Sequence, residues 1–335
     1  MKIARKILLF ASLFALTGCQ STTTEEGGNL IMKEILTDTS FKSGFDLMTT
    51  STLNGRAFAA YLNYGGDATN QEDSPHPWQM SQWWTPYDFK DATFSKSADG
   101  VYEYTNESRH IKVDTNNGEL TLDLNSNTEY QKLFGHSRNG DENWSHILIE
   151  QNIKNCPKLF NLENVFVELE FCINKCENLD PDQNVPAAQL LWYFTITDPK
   201  NGNTDYESEV DGKTNQFMWF GIPLFDSRYD YVEQYVNVDS GFVGATNRVI
   251  YCISSRNYFS EKIQFGKTYS IYLDILPFIK QAYVYGLNHD AMENINYDDL
   301  VLNYMNFGWE LPGSFDASAT IKKISTKIIE KENLR

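Results

Sequence analysis

Glu310 stands between Trp309 and Leu311, where a neighbouring indole would strip water from the carboxyl, disfavour its charge and give it the raised pKa of a general acid, unless it merely caps a loop. Such a group cleaves a glycosidic bond only with a second carboxylate about 5 to 9.5 Å away, and Glu150 or Asp226 could supply it. Asp226 and Arg228 either form an ion pair or line a pocket. The segment Pro75 to Pro86 gathers Trp78, Trp83 and Trp84 among prolines and amides, on irregular backbone. Indole faces take the C–H side of a sugar ring while amides, carboxylates and guanidinium groups bond its hydroxyls. The same indoles could instead plug the end of a core. In Asn143 to Gln151, strand alternation puts Trp144, His146, Leu148 and Glu150 on one face, binding or merely solvated, with Ile147 and Ile149 opposite. Together these residues predict a glycan site where Trp83 or Trp84, His146, Glu150, Asp226, Arg228 and Trp309 converge, with Glu310 as the catalytic candidate.

Other chemistry finds little support. His76, His110, His136, His146 and His289 form no His-x-His or His-Glu-x-x-His array, and no phosphate-binding glycine loop or Gly-x-Ser-x-Gly elbow occurs. These absences argue against a zinc hydrolase or nucleotide enzyme, and no metal or cofactor is expected. Glu207, Glu209 and Asp211 alternate as strand carboxylates would, but they lie between Asn201-Gly202 and Gly212, as a solvated hairpin tip would. Asn201, Asn203, Asp205, Glu207 and Glu209 offer oxygens to calcium without EF-hand spacing. Cys156, Cys172, Cys176 and Cys252 allow three complete disulfide pairings or none. On one extended strand, Cys172 and Cys176 would stand about 13 Å apart, too far to bond to each other.

The elements that must carry these groups are strands. Tyr, Phe and Trp make up 14% of the chain, a composition suited to pleated, half-buried surfaces. Val165, Val167, Leu169, Phe171 and Ile173 share one face of a strand against Glu168, Glu170 and Cys172. Gln189–Thr197 and Gln216–Ile222 read as antiparallel neighbours, with further strands at 102–104, 110–113, 120–124, 147–149, 248–253 and 269–275. Helices are expected only at Pro277–Tyr285 and Tyr297–Met305. The predicted fold is all-β, an antiparallel two-sheet β-sandwich or jelly roll with long loops and short connecting helices.

At the start of the chain, Lys2, Arg5 and Lys6 precede an apolar run from Ile7 to Leu16, too short to span a bilayer, which needs about 20 residues. The tetrapeptide Leu16-Thr17-Gly18-Cys19 closes it and resembles the lipobox of bacterial lipoproteins. That resemblance implies a signal peptide at 1–18, acyl chains on Cys19 and attachment to membrane lipid, with Gln20 favouring the outer membrane. A polar tether follows to residue 30, and residues 31–335 form a single sandwich domain. The net charge of −17 becomes about −20 once the three signal cations are removed, which argues against nucleic acid as a partner. Trp219 to Arg228 and Phe307 to Ile321 resemble late strands of concanavalin A-like lectins and glucanases, and Glu207 to Asp211 resembles, in a different residue order, a laminarinase-type catalytic strand. The resemblance implies a carbohydrate partner. The leading expectation is a membrane-anchored glycan-binding lipoprotein; a glycoside hydrolase or lyase and a structural or assembly lipoprotein are the alternatives.

Overall fold

Alternating apolar residues become the inner faces of two stacked sheets in the computed structural model, which describes residues 31–50, 57–69, 76–184, 186–199, 217–238, 248–292 and 295–332. Cys19, the tether, the Asn201-Gly202 turn and the alternating carboxylates from Glu207 to Asp211 lie outside the described residues. Residues 31–335 form one compact unit.

The first strands are β1 (Lys33–Glu34), β2 (Phe45–Met48), β3 (Phe58–Leu62), β4 (Trp78–Ser81), β5 (Thr93–Ala98) and β6 (Val101–Thr105). Next come β7 (Arg109–Asp114), β8 (Glu119–Asn125), helix α1 (Ser126–Leu133), β9 (Ser145–Asn152), β10 (Leu162–Asn178) and β11 (Gln189–Thr197). The chain closes with β12 (Phe217–Asp226), β13 (Tyr235–Val238), β14 (Val249–Cys252), β15 (Thr268–Asp274), helix α2 (Leu276–Leu287), β16 (Val301–Leu311) and β17 (Phe315–Glu330). Among the described residues, one sheet runs β15-β10-β17-β8-β7-β6-β5 with β1 also on β17, and the other runs β13-β14-β12-β11-β16-β9-β4-β2-β3. Pairing is antiparallel except for β12 with β14 and β2 with β4.

The stripe Val165, Val167, Leu169, Phe171 and Ile173 is fully buried and shares one hydrophobic core with Leu190, Trp192, Phe194, Phe307 and Trp309 of the other sheet. Burying each such side chain contributes about 1.5 to 3 kcal/mol. Strand β10 is long enough to need register shifts at Glu170/Phe171 and Ile173/Lys175 against β17, bulges that let it follow the twist. Among the described glycines Gly308 has the tightest surroundings, since a Cβ there would lie 2.1 Å from the Ile147 carbonyl oxygen.

The helix predicted at Tyr297–Met305 is not one. A 3-10 turn covers Tyr297–Asp299, capped by the Asn296 side chain accepting from the Asp298 amide at 3.2 Å, and β16 begins at Val301. Strand β16 runs between β11 and β9, and its middle is buried on both faces, which erases the alternation that would have identified it. Pro277 does start a helix, α2. Cys172 and Cys176 share β10, and all four described cysteines carry free thiols.

Candidate functional site

Three adjacent strands of the nine-stranded sheet build the site. Gln189 of β11 pairs with Glu310 of β16, which pairs with His146 of β9, so their side chains project on the face opposite Leu190, Trp309 and Ile147. Helix α1 locks the ends of these strands. Its Asn125 cap accepts from the Thr128 amide at 2.9 Å, and Tyr130 donates its hydroxyl to the Leu311 carbonyl while accepting from the Ser145 amide at 3.2 Å. Leu311 and Ser145 are the immediate neighbours of Glu310 and His146.

On that face Glu310 Oε2 lies 3.5 Å from His146 Nε2 and accepts from Trp144 Nε1 at 3.3 Å. The imidazole meets the Trp144 ring at 5.5 Å and the Trp83 ring nearly edge-on at 5.6 Å, and the buried Arg138 guanidinium lies over the Trp144 ring at 5.2 Å. The Glu310 side chain keeps 20% exposure and His146 9%. Among the described residues His146 Nδ1 is buried without a hydrogen-bond partner, leaving an unsatisfied polar atom in an aromatic enclosure.

Glu310 does not have the raised pKa expected from its neighbours in sequence. Burial pushes the carboxyl up, but the hydrogen bond and charge of His146 and the Trp144 N–H together hold it below the ordinary value. The indole that matters is Trp144, which donates a hydrogen bond. Trp309 points the other way, and Glu310 is thereby an ionised acceptor and not a poised acid.

Of the other predicted residues, Asp226 with its partner Arg228 adjoins the Glu310 row through Gln189, and the rest separate. Trp309 has 0% exposure and stands edge-on to Phe225 in the core, so its indole offers no face to a sugar. Trp78 is likewise core, its Nε1 donating to the Asp38 carbonyl at 2.8 Å. Trp84 is half-buried with φ at 61°, its amide held by the Thr50 carbonyl at 2.8 Å. Glu150 shares the His146 face but sits four residues along β9, about 13 Å further at 3.3 Å per residue, opposite Asn306 and Gln79. Its side chain is fully buried.

Asp226 and Arg228 form a bidentate ion pair, Nε to Oδ1 at 2.9 Å and NH2 to Oδ2 at 2.6 Å, and Gln189 Nε2 donates to Asp226 at 2.8 Å. They also line a separate pocket of about 550 Å³ with Cys176, Phe225, Phe265 and Phe315. Glu310 and Asp226 both pair with Gln189, which puts them two strands apart, about 10 Å between backbones. The residues that sequence reasoning left out of the site are Trp144, Arg138 and Gln189. Trp144 was signalled by its parity with His146; Arg138, which comes from a loop, had no periodic signal.

Among the described residues no cluster of three or more metal-binding side chains occurs. No protein-family description matches the chain, and no curated protein sequence matches it. Among solved structures the chain is similar to a family 12 xyloglucanase from Bacillus licheniformis, with 12% identity, a TM-score of 0.40, and coverage of 74% of this chain and 99% of that one. The endoglucanase Cel12A from Rhodothermus marinus shows 12% identity and a TM-score of 0.38 over 72% of this chain and 97% of that one. The xyloglucanase domain of NopAA, a type three effector from Sinorhizobium fredii, shows 8% identity and a TM-score of 0.36 over 76% and 100%. The likeness is one of fold alone.

Proposed function

We propose that this chain is an exported, lipid-anchored protein that binds a glycan on the outward face of its nine-stranded sheet. The observation that carries the reading is the cluster of Glu310, His146, Trp144 and Trp83, in which a carboxylate kept ionised and an imidazole with a free buried nitrogen stand between two indoles. Sugar recognition needs this combination of apolar ring faces and fixed hydrogen-bonding groups. Binding is favoured over hydrolysis because the groups acting on Glu310 are His146 and Trp144, with no carboxylate among them; an ionised Glu310 could serve only as nucleophile or base and would need a separate acid.

A glycan array followed by titration calorimetry tests the reading, with Glu310→Gln as the decisive variant. A binding protein loses affinity with Glu310→Gln and releases no reducing ends from any glycan it holds. A hydrolase releases them, keeps its affinity in the variant and loses turnover. No binding by the wild type across the array would end the proposal. The anchor rests on Lys2, Arg5, Lys6, the apolar run and Leu16-Thr17-Gly18-Cys19. Replacing Cys19 by Ser should move the protein out of the membrane fraction with its melting temperature unchanged; a processed variant that stays membrane-bound after a salt wash would contradict a lipid anchor.

A further inference from the structure

Directly beneath His146 lies a charged pair that takes no part in the face described above. Arg109 and Glu129 both have 0% side-chain exposure. Arg109 belongs to the inward stripe of β7 with Ile111 and Val113, and its Nε donates to Glu129 Oε1 at 2.6 Å and its NH2 to Oε2 at 3.1 Å. The remaining NH1 crosses to the other sheet and donates to the His146 carbonyl at 2.7 Å. Glu129, from α1, also accepts the Thr85 hydroxyl at 2.9 Å and the Ser108 hydroxyl at 2.8 Å. Thr85 ends the Trp83-Trp84-Thr85 segment, in which the His146 amide donates to the Trp83 carbonyl at 3.2 Å and Trp84 is held in the left-handed region. A bulky residue stays at positive φ only where its surroundings over-determine it.

Stability does not account for this pair. Taking two charges out of water is expensive, and a well-packed apolar pair of similar volume is often as stable or more so. An apolar pair could not bond the His146 carbonyl and the Thr85 hydroxyl together. The geometry points to Arg109 and Glu129 as positioning residues of the glycan site, fixing the Trp83 ring against the His146 imidazole from below. One guanidinium sets the strand that carries His146, and its carboxylate partner sets the loop that carries Trp83.

The binding part of this inference rests on the glycan reading, whereas its effect on His146 and Trp83 does not, so the test has an arm for each. In Arg109→Met/Glu129→Gln the pair is neutral, Gln can still accept from Thr85, and the bond to the His146 carbonyl is gone. The full chain carrying this change should unfold cooperatively near the wild-type temperature, show a displaced His146 imidazole resonance, and bind glycan about tenfold more weakly. Arg109→Lys, which keeps the charge on a single ammonium group beside an intact Glu129, should retain part of the affinity. Thr85→Val cuts the other arm without touching a charge; it should shift tryptophan emission and weaken binding severalfold, and it decides the matter should the double variant fail to fold. If the folded variants leave the His146 resonance, the tryptophan emission and the affinity at wild-type values, the pair only supports the fold and the inference is overturned. If the wild type binds no glycan, the glycan reading falls, and the resonance and emission shifts still decide the positioning role.

Discussion

Trp309 and Glu310 are consecutive residues with opposite fates. One turns into the core, edge-on to Phe225 with no exposure; the other turns outward to His146 and Trp144. The same division runs across the three neighbouring strands, with Leu190, Trp309 and Ile147 on the inner face and Gln189, Glu310 and His146 on the outer. At these three strands parity alone therefore separates the core from the proposed binding face. An indole in this chain carries no functional meaning until its parity is known.

Substitutions on the two faces should consequently fail in different assays. The largest effect is expected for Trp309→Ala, which leaves a cavity in the centre of the sandwich and should cost about 3 to 5 kcal/mol of folding stability. Denaturant unfolding would read it, and a loss below about 1 kcal/mol would mean that the indole is not the core element its burial indicates. Trp144→Ala should do the reverse, costing about 1 to 3 kcal/mol in glycan affinity with little change in melting temperature. A fall in melting temperature with no change in affinity would move Trp144 to the structural side and break the comparison.

The sequence was most informative where one face of a strand is wet. Alternation located the buried stripe from Val165 to Ile173, whose opposite face is partly exposed, whereas β9 and β11, covered on both faces, were legible only from their apolar and aromatic content. It was silent where both faces are covered, as in the middle of β16, and where a short turn precedes a strand, as at Tyr297. Trp309 and Glu310 are adjacent in sequence, so the period of two places them on opposite faces and only one of them can belong to the site. The same rule contained a clue to the buried pair, because Arg109 falls on the inward parity of Ile111 and Val113. A charge on a core stripe needs a buried partner, but nothing in the pattern of α1 identifies Glu129 as that partner. The position of Asp226 two strands from Glu310, with Gln189 between them, was not legible either, since it depends on strand order, which local patterns do not encode.

The smallest effect concerns pH and extends the comparison to the eight-stranded sheet. His110 lies on the outer face of β7, with Nδ1 2.8 Å from Asp123 and Nε2 3.1 Å from Glu103. The Asp123 hydrogen bond raises its pKa first, burial opposes this, and the Asp123 charge and the Glu103 contact add to the rise. A histidine with a folded pKa above its unfolded value of about 6.5 binds its proton more tightly in the folded state. Its contribution is therefore complete below about pH 6.5 and is lost as pH rises through the higher folded value. Because His110, Asp123 and Glu103 each keep about a fifth to a third of their exposure, solvent screening should limit the contribution to about 1 kcal/mol or less. Thermal melts across this range should show a shallow fall in stability with rising pH that His110→Gln flattens, while glycan affinity is unchanged. A slope that survives His110→Gln would assign it to another group, and a change in affinity would mean that the two sheets do not divide stability from binding.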